Sequence, residues 1–344
     1  MKGKILLFIF LGVFLFCASQ IFKPAAAPAS IITSLDNQET PKTEEYKPER
    51  IVFVGDMMFD RGVERLMQKS TFSYPVDVIK DFLKSFDFVV GNLEGPINEK
   101  PKDFSDGSLT FSFDKKSVQS LIDGNFSLVS LANNHTLNME RTGFEETKTI
   151  LKENNIAFAG DPIECDGDYS YQKDGITYYA INETFSSNCS NKQIAQEIKD
   201  LRFYNPEAFI VVLIHWGVEY QTINSKEQQT LAHLIIDSGA DLIIGGHPHV
   251  VQNIEQYNGK LIFYSLGNFV FDQYFSKETQ EGLGVGMDIY KDKKVYTLYP
   301  IVNKLAQPKL MEEAEKIEFL NNLSNNSSEE LKESIKNGKI EIKD

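Results

Sequence analysis

Four of the chain's five histidines, His135, His215, His247 and His249, stand within a few residues of the ends of apolar runs. Carboxylates and amides occupy matching places. Asp56 follows IVFVG, Asn92 and Glu94 follow FVVG, and Asn133 and Asn134 follow LVSLA. Imidazole suits Zn, Mn or Fe, while carboxylate and amide oxygens add harder donors. A carboxylate can also bridge two ions roughly 3.5–4 Å apart, which then clamp an oxyanion. The chemistry is that of a site for one or two divalent metal ions.

Each residue also has a plainer reading. Asp56 could cap a helix, Glu94 in NLEGP could be a solvated turn acid, and Asn133–Asn134 could be turn formers. His215, beside the sole tryptophan Trp216, could be a core histidine. His247–Pro248–His249 is the stronger signal, because Gly245 and Gly246 permit a tight turn and the proline stiffens the pair. His233 in LAHLIID lies away from any strand end and reads as structural. Serine or cysteine nucleophile chemistry has no comparable support, since GxSxG, Walker and CxxC patterns are all missing.

Positioning these groups requires strands. Ile51–Val54, Phe88–Val90, Leu128–Leu131, Phe209–Ile214, Leu242–Ile244 and Leu261–Tyr264 read as buried strands. Helical stripes lie between them: Val78, Ile79, Phe82, Leu83 and Phe86, then Phe144, Ile150 and Leu151. Ser225 with Gln228 predicts a capping box. Alternation of this kind predicts an α/β domain, whose ligands bind beyond the carboxyl ends of the strands. After about residue 282 the pattern becomes strand pairs, Val285–Tyr290 and Lys294–Pro300. From Leu310 two amphipathic helices follow, the second expected to enter at Ser327 with Glu330 as its capping partner.

The chain has 344 residues and a net charge of −14. That charge excludes general nucleic-acid binding. Lys2 and Lys4, the apolar run Ile5–Cys17 and the small residues after it form a signal-peptide pattern. Read on to Phe22, the run reaches the lower limit of a membrane span, so cleavage and retention as an anchor both stay open. Phe16 ahead of Cys17 argues against a lipoprotein. The body is expected to be extracytoplasmic, membrane-anchored through residues 5–22 or secreted, and more acidic than the whole. The expected organisation is 1–22 signal peptide or anchor, 23–49 disordered linker, 50–325 main domain and 326–344 polar tail. Cys165 and Cys189 could pair in an oxidising compartment or remain isolated thiols.

VGDMMFDR, VVGNLEGPI, LANNHTLN, LIHWGVEY, DLIIGGHPHVVQ and YSLGNFVFDQ occur in the order and spacing of the CapA family. Over roughly 50–325 the chain thus resembles poly-γ-glutamate capsule biosynthesis proteins of the calcineurin-like metallophosphatase superfamily. The resemblance implies a metallophosphatase-like four-layer α/β/β/α sandwich. Asp56 then looks like a ligand of one metal ion and Glu94 like the bridging acid. Asn134, His215 and His247 look like ligands of the second ion, with His249 turned to the first. His135 resembles the histidine that steadies a leaving or attacking oxygen, and Arg61 and Asn92 resemble substrate-side polar groups. Met58 departs from the superfamily's Asp-x-His, which weakens the first metal position. Asn138 stands where relatives often have Asp. The implied roles are synthesis or export of an anionic polymer with a membrane-bound complex, metal-dependent hydrolysis of a phosphoester or amide, or a metal-poor binding scaffold.

Overall fold

The computed structural model describes residues 48–104, 108–184 and 189–343. The expected signal peptide or anchor and all but the last two residues of the linker lie outside them. Among the described residues, no helix is long and apolar enough to cross a membrane.

The chain is wired in three stretches. The first runs β1 (Glu49–Met57), α1 (Arg61–Lys69), α2 (Lys80–Leu83), β2 (Phe88–Leu93), β3 (Ile97–Asn98), β4 (Phe113–Asp114), α3 (Val118–Asp123), β5 (Phe126–Ser130), α4 (Glu140–Glu153) and β6 (Ala157–Ala159). Here β1, β2, β5 and β6 lie parallel and adjacent. The second stretch runs β7 (Tyr171–Lys173), β8 (Ile176–Glu183), α5 (Asn191–Tyr204), β9 (Phe209–Trp216), α6 (Lys226–Asp237), β10 (Leu242–Gly246), β11 (Ile254–Tyr257) and β12 (Lys260–Phe263). It builds a six-stranded sheet in the order β11-β12-β10-β9-β8-β7. The third stretch adds β13 (Asn268–Val270), β14 (Glu281–Ile289), β15 (Lys293–Lys304), β16 (Gln307–Leu310), α7 (Glu313–Asn326), α8 (Lys332–Lys336) and β17 (Lys339–Lys343). Its strands return to the first sheet, where β14 pairs antiparallel with β1 and β13 parallel with β1.

Side-chain alternation along the strands divides the core. Ile51, Phe53 and Val90 of the first sheet meet Tyr178, Leu213 and Ile244 of the second. Val52, Val54 and Val89 face the other way, onto Val63, Leu83 and Phe144 of the helices. Val212, Ile214 and Ile243 do the same with Ile194, Ile198 and Ile235. The result is the α/β/β/α sandwich that the resemblance implied. The capping box at Ser225 and Gln228 forms as expected, and Ser190 with Gln193 makes another at α5. Just ahead of that cap, Cys189 is disulfide-bonded to Cys165, so the two thiols are paired.

Three expectations are corrected. The stripe from Val78 to Phe86 supports only the single turn α2, because Pro75 opens a 3-10 turn and the α-helix starts at Lys80; Val78 is left exposed. Ser327 ends α7 rather than starting a helix. Its hydroxyl donates to Leu323 O (2.8 Å) and accepts from Ile254 N (2.9 Å), and its own N–H, which Glu330 would have capped, donates back to Ser324 O at 3.3 Å. Residues 326–344, expected as a polar tail, contribute β17 to the first sheet against β15 and bury Leu331, Ile335 and Ile340. Only alternate residues of KIEIK face inward, which kept the segment's mean polarity high.

Candidate metal centre

Asp56 comes from β1, Asn92 from β2 and Glu94 from just beyond it. Asn133, Asn134 and His135 follow β5; His215 lies in β9, and His247 and His249 follow β10. Parallel register sets Asp56 beside Asn92 and His215 beside Gly246. The carboxyl ends of both sheets therefore supply one cluster.

Asn92 ties it together. Its amide donates to Asp56 Oδ1 (2.8 Å) and Glu94 Oε2 (3.3 Å) and meets His215 Nδ1 at 3.3 Å. Its own oxygen accepts from Asn133 Nδ2 at 3.0 Å. His215 Nε2 lies 2.9 Å from Asn134 Oδ1. His249 Nδ1 lies 3.0 Å from Asn268 Oδ1 and 3.5 Å from Asp56 Oδ2, and its Nε2 lies 3.5 Å from Glu94 Oε1. His247 and His249 hold positive φ values of 94° and 59°. Such backbone costs roughly 1–3 kcal/mol and persists only where the surroundings enforce it. Here Asp56 Oδ2 accepts the His247 N–H at 3.1 Å.

Two buried atoms of the cluster, Glu94 Oε1 and His247 Nδ1, have no hydrogen-bond partner among the described residues. Orphaned buried groups are costly and call for an explanation. Asp56, Glu94 and His215 offer one group of donor atoms within 4.8 Å of one another, and Glu219, His247 and His249 offer a second. Neutral imidazoles and buried carboxylates with unused lone pairs fit a divalent ion.

Electrostatics divides the histidines. Burial holds His135 and His247 down to about 4, and His215 well below its ordinary value. Burial pushes Glu94 well up, reinforced by Asp56 and opposed by His249. Asp56 is raised by burial but brought to about 2 by its hydrogen bond to His249 and the nearby imidazoles. His249 is lowered by burial, yet the Glu94 and Asp56 carboxylates outweigh this and drive it up to about 9. Metal ligation requires a deprotonated imidazole. Loading Mn²⁺ at pH 7 is therefore expected to expel protons from the His249–Glu94 pair, and this release should fade as pH rises. Calorimetric titration in two buffers of different ionisation enthalpy measures it, and identical heats at pH 7 would contradict the assignment.

The remaining sequence candidates lie at the margin. His135 Nε2 is 3.9 Å from Glu94 Oε1, while its Nδ1 meets Asn138 Oδ1 at 3.1 Å and its ring packs on Phe111. The amide oxygen of Asn138 thus still orients the imidazole. Arg61, expected beside a substrate, is ion-paired with Asp272 and donates to Ser108 O, with its guanidinium over Phe111. Asp60, not Asp56, caps α1. His233 bonds Glu255 and stacks on Tyr257, away from the cluster. Sequence reasoning missed Glu219 and Asn268. Both sit inside quoted motif blocks, LIHWGVEY and YSLGNFVFDQ, and that was the available signal.

The family model described as bacterial capsule synthesis protein PGA_cap matches residues 50–273. The PGA biosynthesis protein CapA of Bacillus subtilis (strain 168) is 33% identical over 267 residues, covering 71% of this chain and 70% of that protein. The capsule biosynthesis protein CapA of Bacillus anthracis is 30% identical over 266 residues, covering 70% of this chain and 64% of that relative's length. Among solved structures, the purple acid phosphatase PPD1 isolated from yellow lupin seeds aligns with a TM-score of 0.37 at 10% identity, over 78% of this chain and 53% of that one.

Proposed function

Because the chain belongs to the bacterial capsule synthesis protein PGA_cap family, we propose that it serves poly-γ-glutamate synthesis or export outside the cytoplasm, through a site holding one or two divalent ions. The observation that carries the metal is the pair of orphaned buried atoms, Glu94 Oε1 and His247 Nδ1, inside the histidine–carboxylate cluster. A bound divalent ion supplies Lewis-acid polarisation and reverses the sign of an otherwise acidic pocket. That reversal offsets the repulsion between an anionic polymer and a chain of net charge −14. The protein's own groups set the frame. Asn92 fixes Asp56, Glu94 and His215 relative to one another, Asn134 orients His215, and Asn268 orients His249.

His135 favours a second reading, metal-dependent hydrolysis of a phosphoester or amide in an envelope polymer. It is held by Asn138 at the edge of the cluster and is partly accessible, a suitable place for steadying a leaving or attacking oxygen.

The test is complementation of a capsule-forming host lacking its own family member, with metal content measured in parallel. Wild type is expected to restore surface polyglutamate, and His247→Ala to lose both metal and polymer. Full restoration by a metal-free His247→Ala would establish the scaffold reading instead.

A further inference from the structure

The position that the metallophosphatase resemblance reserves for a histidine is occupied by Met58. Its side chain is fully buried between the first sheet and its helices, and its sulfur accepts the Asp60 N–H at 3.0 Å. It is engaged away from the cluster, and a thioether is in any case a poor donor to a hard ion.

Another donor reaches the histidines from the loop after β9. Gly217 and Tyr220 take positive φ values of 90° and 64°, which fold this loop back sharply. The Tyr220 N–H donates to Pro248 O at 2.8 Å, between His247 and His249 in sequence. The Tyr220 hydroxyl accepts from Gln273 Nε2 at 3.3 Å, and Gln273 in turn accepts from Asn268. The loop that carries Glu219 is thus fastened to the histidine turn directly at Pro248, and indirectly through Gln273 and Asn268, which also bonds His249. A Glu219 carboxylate oxygen and one nitrogen each of His247 and His249 lie within 4.8 Å of one another. His247 is 8% exposed and its Nδ1 has no partner.

We propose that Glu219 is a metal ligand, completing with His247 and His249 a second divalent-cation site beside Asp56, Glu94 and His215, in place of the histidine that Met58 replaces. The inference rests on the metal reading above. Two imidazoles and one carboxylate form a donor set that leaves positions open for water or substrate. The two sets adjoin where His249 Nε2 faces Glu94 Oε1 at 3.5 Å. Glu219 is exposed, so this second ion lies on the solvent side, where a polymer can reach it.

The experiment strips the full-length chain of metal and reloads it with Mn²⁺ alone. Ions are counted by elemental analysis, affinities come from calorimetry, and electron paramagnetic resonance detects a spin-coupled pair. Two ions and a coupled signal are expected in wild type, and one ion without coupling in Glu219→Ala. Glu219→Gln should weaken the second ion at least about 10-fold, and Glu219→Asp should retain it. Unchanged thermal unfolding of the metal-free variants excludes a folding defect. Two ions of wild-type affinity in Glu219→Ala would overturn the proposal while leaving the first site standing. A wild type that binds no Mn²⁺ would overturn both it and the metal reading.

Discussion

Glu94→Gln is expected to abolish metal retention while making the metal-free protein more stable. Glu94 is fully buried, and its oxygens lie 3.5 Å from His249 and 3.9 Å from both His135 and His215. It therefore touches both donor groups. Outer partners of metal ligands alone are worth roughly 10–100-fold in affinity, so removing this charge should cost at least about 100-fold. Asp56→Asn should lose less metal, since Asp56 is already engaged with Asn92 and the His247 N–H. Without an ion, the Glu94 carboxylate is a liability. Burial raises its pKa well above the usual range, so the folded state holds a proton that the unfolded chain releases. The stability cost therefore grows as pH rises above the ordinary glutamate value. An orphaned buried acceptor costs about 1–3 kcal/mol. Unfolding of metal-free and Mn²⁺-loaded protein at pH 7 should show opposite shifts for Glu94→Gln, upward without metal and downward with it. A downward shift in both would make Glu94 merely structural.

Gly55→Ala should prevent folding. A methyl group at Gly55 would lie 1.9 Å from Gly267 O and 2.9 Å from its carbonyl carbon, both backbone atoms. Gly245 is pressed the same way, 2.0 Å from Tyr264 O. The segment Tyr264–Asn268 threads between β1 and β10, donating from Leu266 N to Gly245 O and accepting from Asp56 N at Gly267 O, both at 3.0 Å. Neither strand can retreat without breaking the backbone bonds that set Asp56 and the His247 turn. The expected loss exceeds about 4 kcal/mol, at the extreme of single substitutions. Gly259→Ala is the control, because nothing lies within 4 Å of its added carbon and only its φ of +76° opposes the change. Urea denaturation should find Gly259→Ala folded and only about 1–2 kcal/mol below wild type, and find no folded baseline for Gly55→Ala.

Strands buried on both faces were legible because their apolar runs are continuous, as in FIVVLI and DLIIGG. The capping box at Ser225 was legible because it is local. The buried strand β8, ITYYAINE, was not, since Thr177, the two tyrosines and Asn182 interrupt any simple run. Packing between the two sheets, with Tyr178 stacked 5.4 Å from Phe88, is what buries it. The same division holds at the site. Asp56, Glu94, His215, His247 and His249 follow their strands directly, so strand assignment placed them together. Glu219 and Asn268 depend on contacts distant in sequence, Tyr220 with Pro248 and His249 with Asn268. Arg61 looked available because its partner, Asp272, lies far along the chain.

The return of the last stretch to the first sheet has a consequence for synthesis. β1 pairs with β2 early, but its other edge is closed by β13 and β14, with Glu49 opposite Ile289. A chain produced from its amino terminus therefore carries an open strand edge through nearly the whole of its emergence. Non-local pairing of this kind is slow, and unpaired edges recruit other chains. Fragments that stop before Asn268 should aggregate rather than form a smaller folded core. Asp56 lies on that unclosed strand, so the metal residues are expected to be held in place only once β13 and β14 have been made.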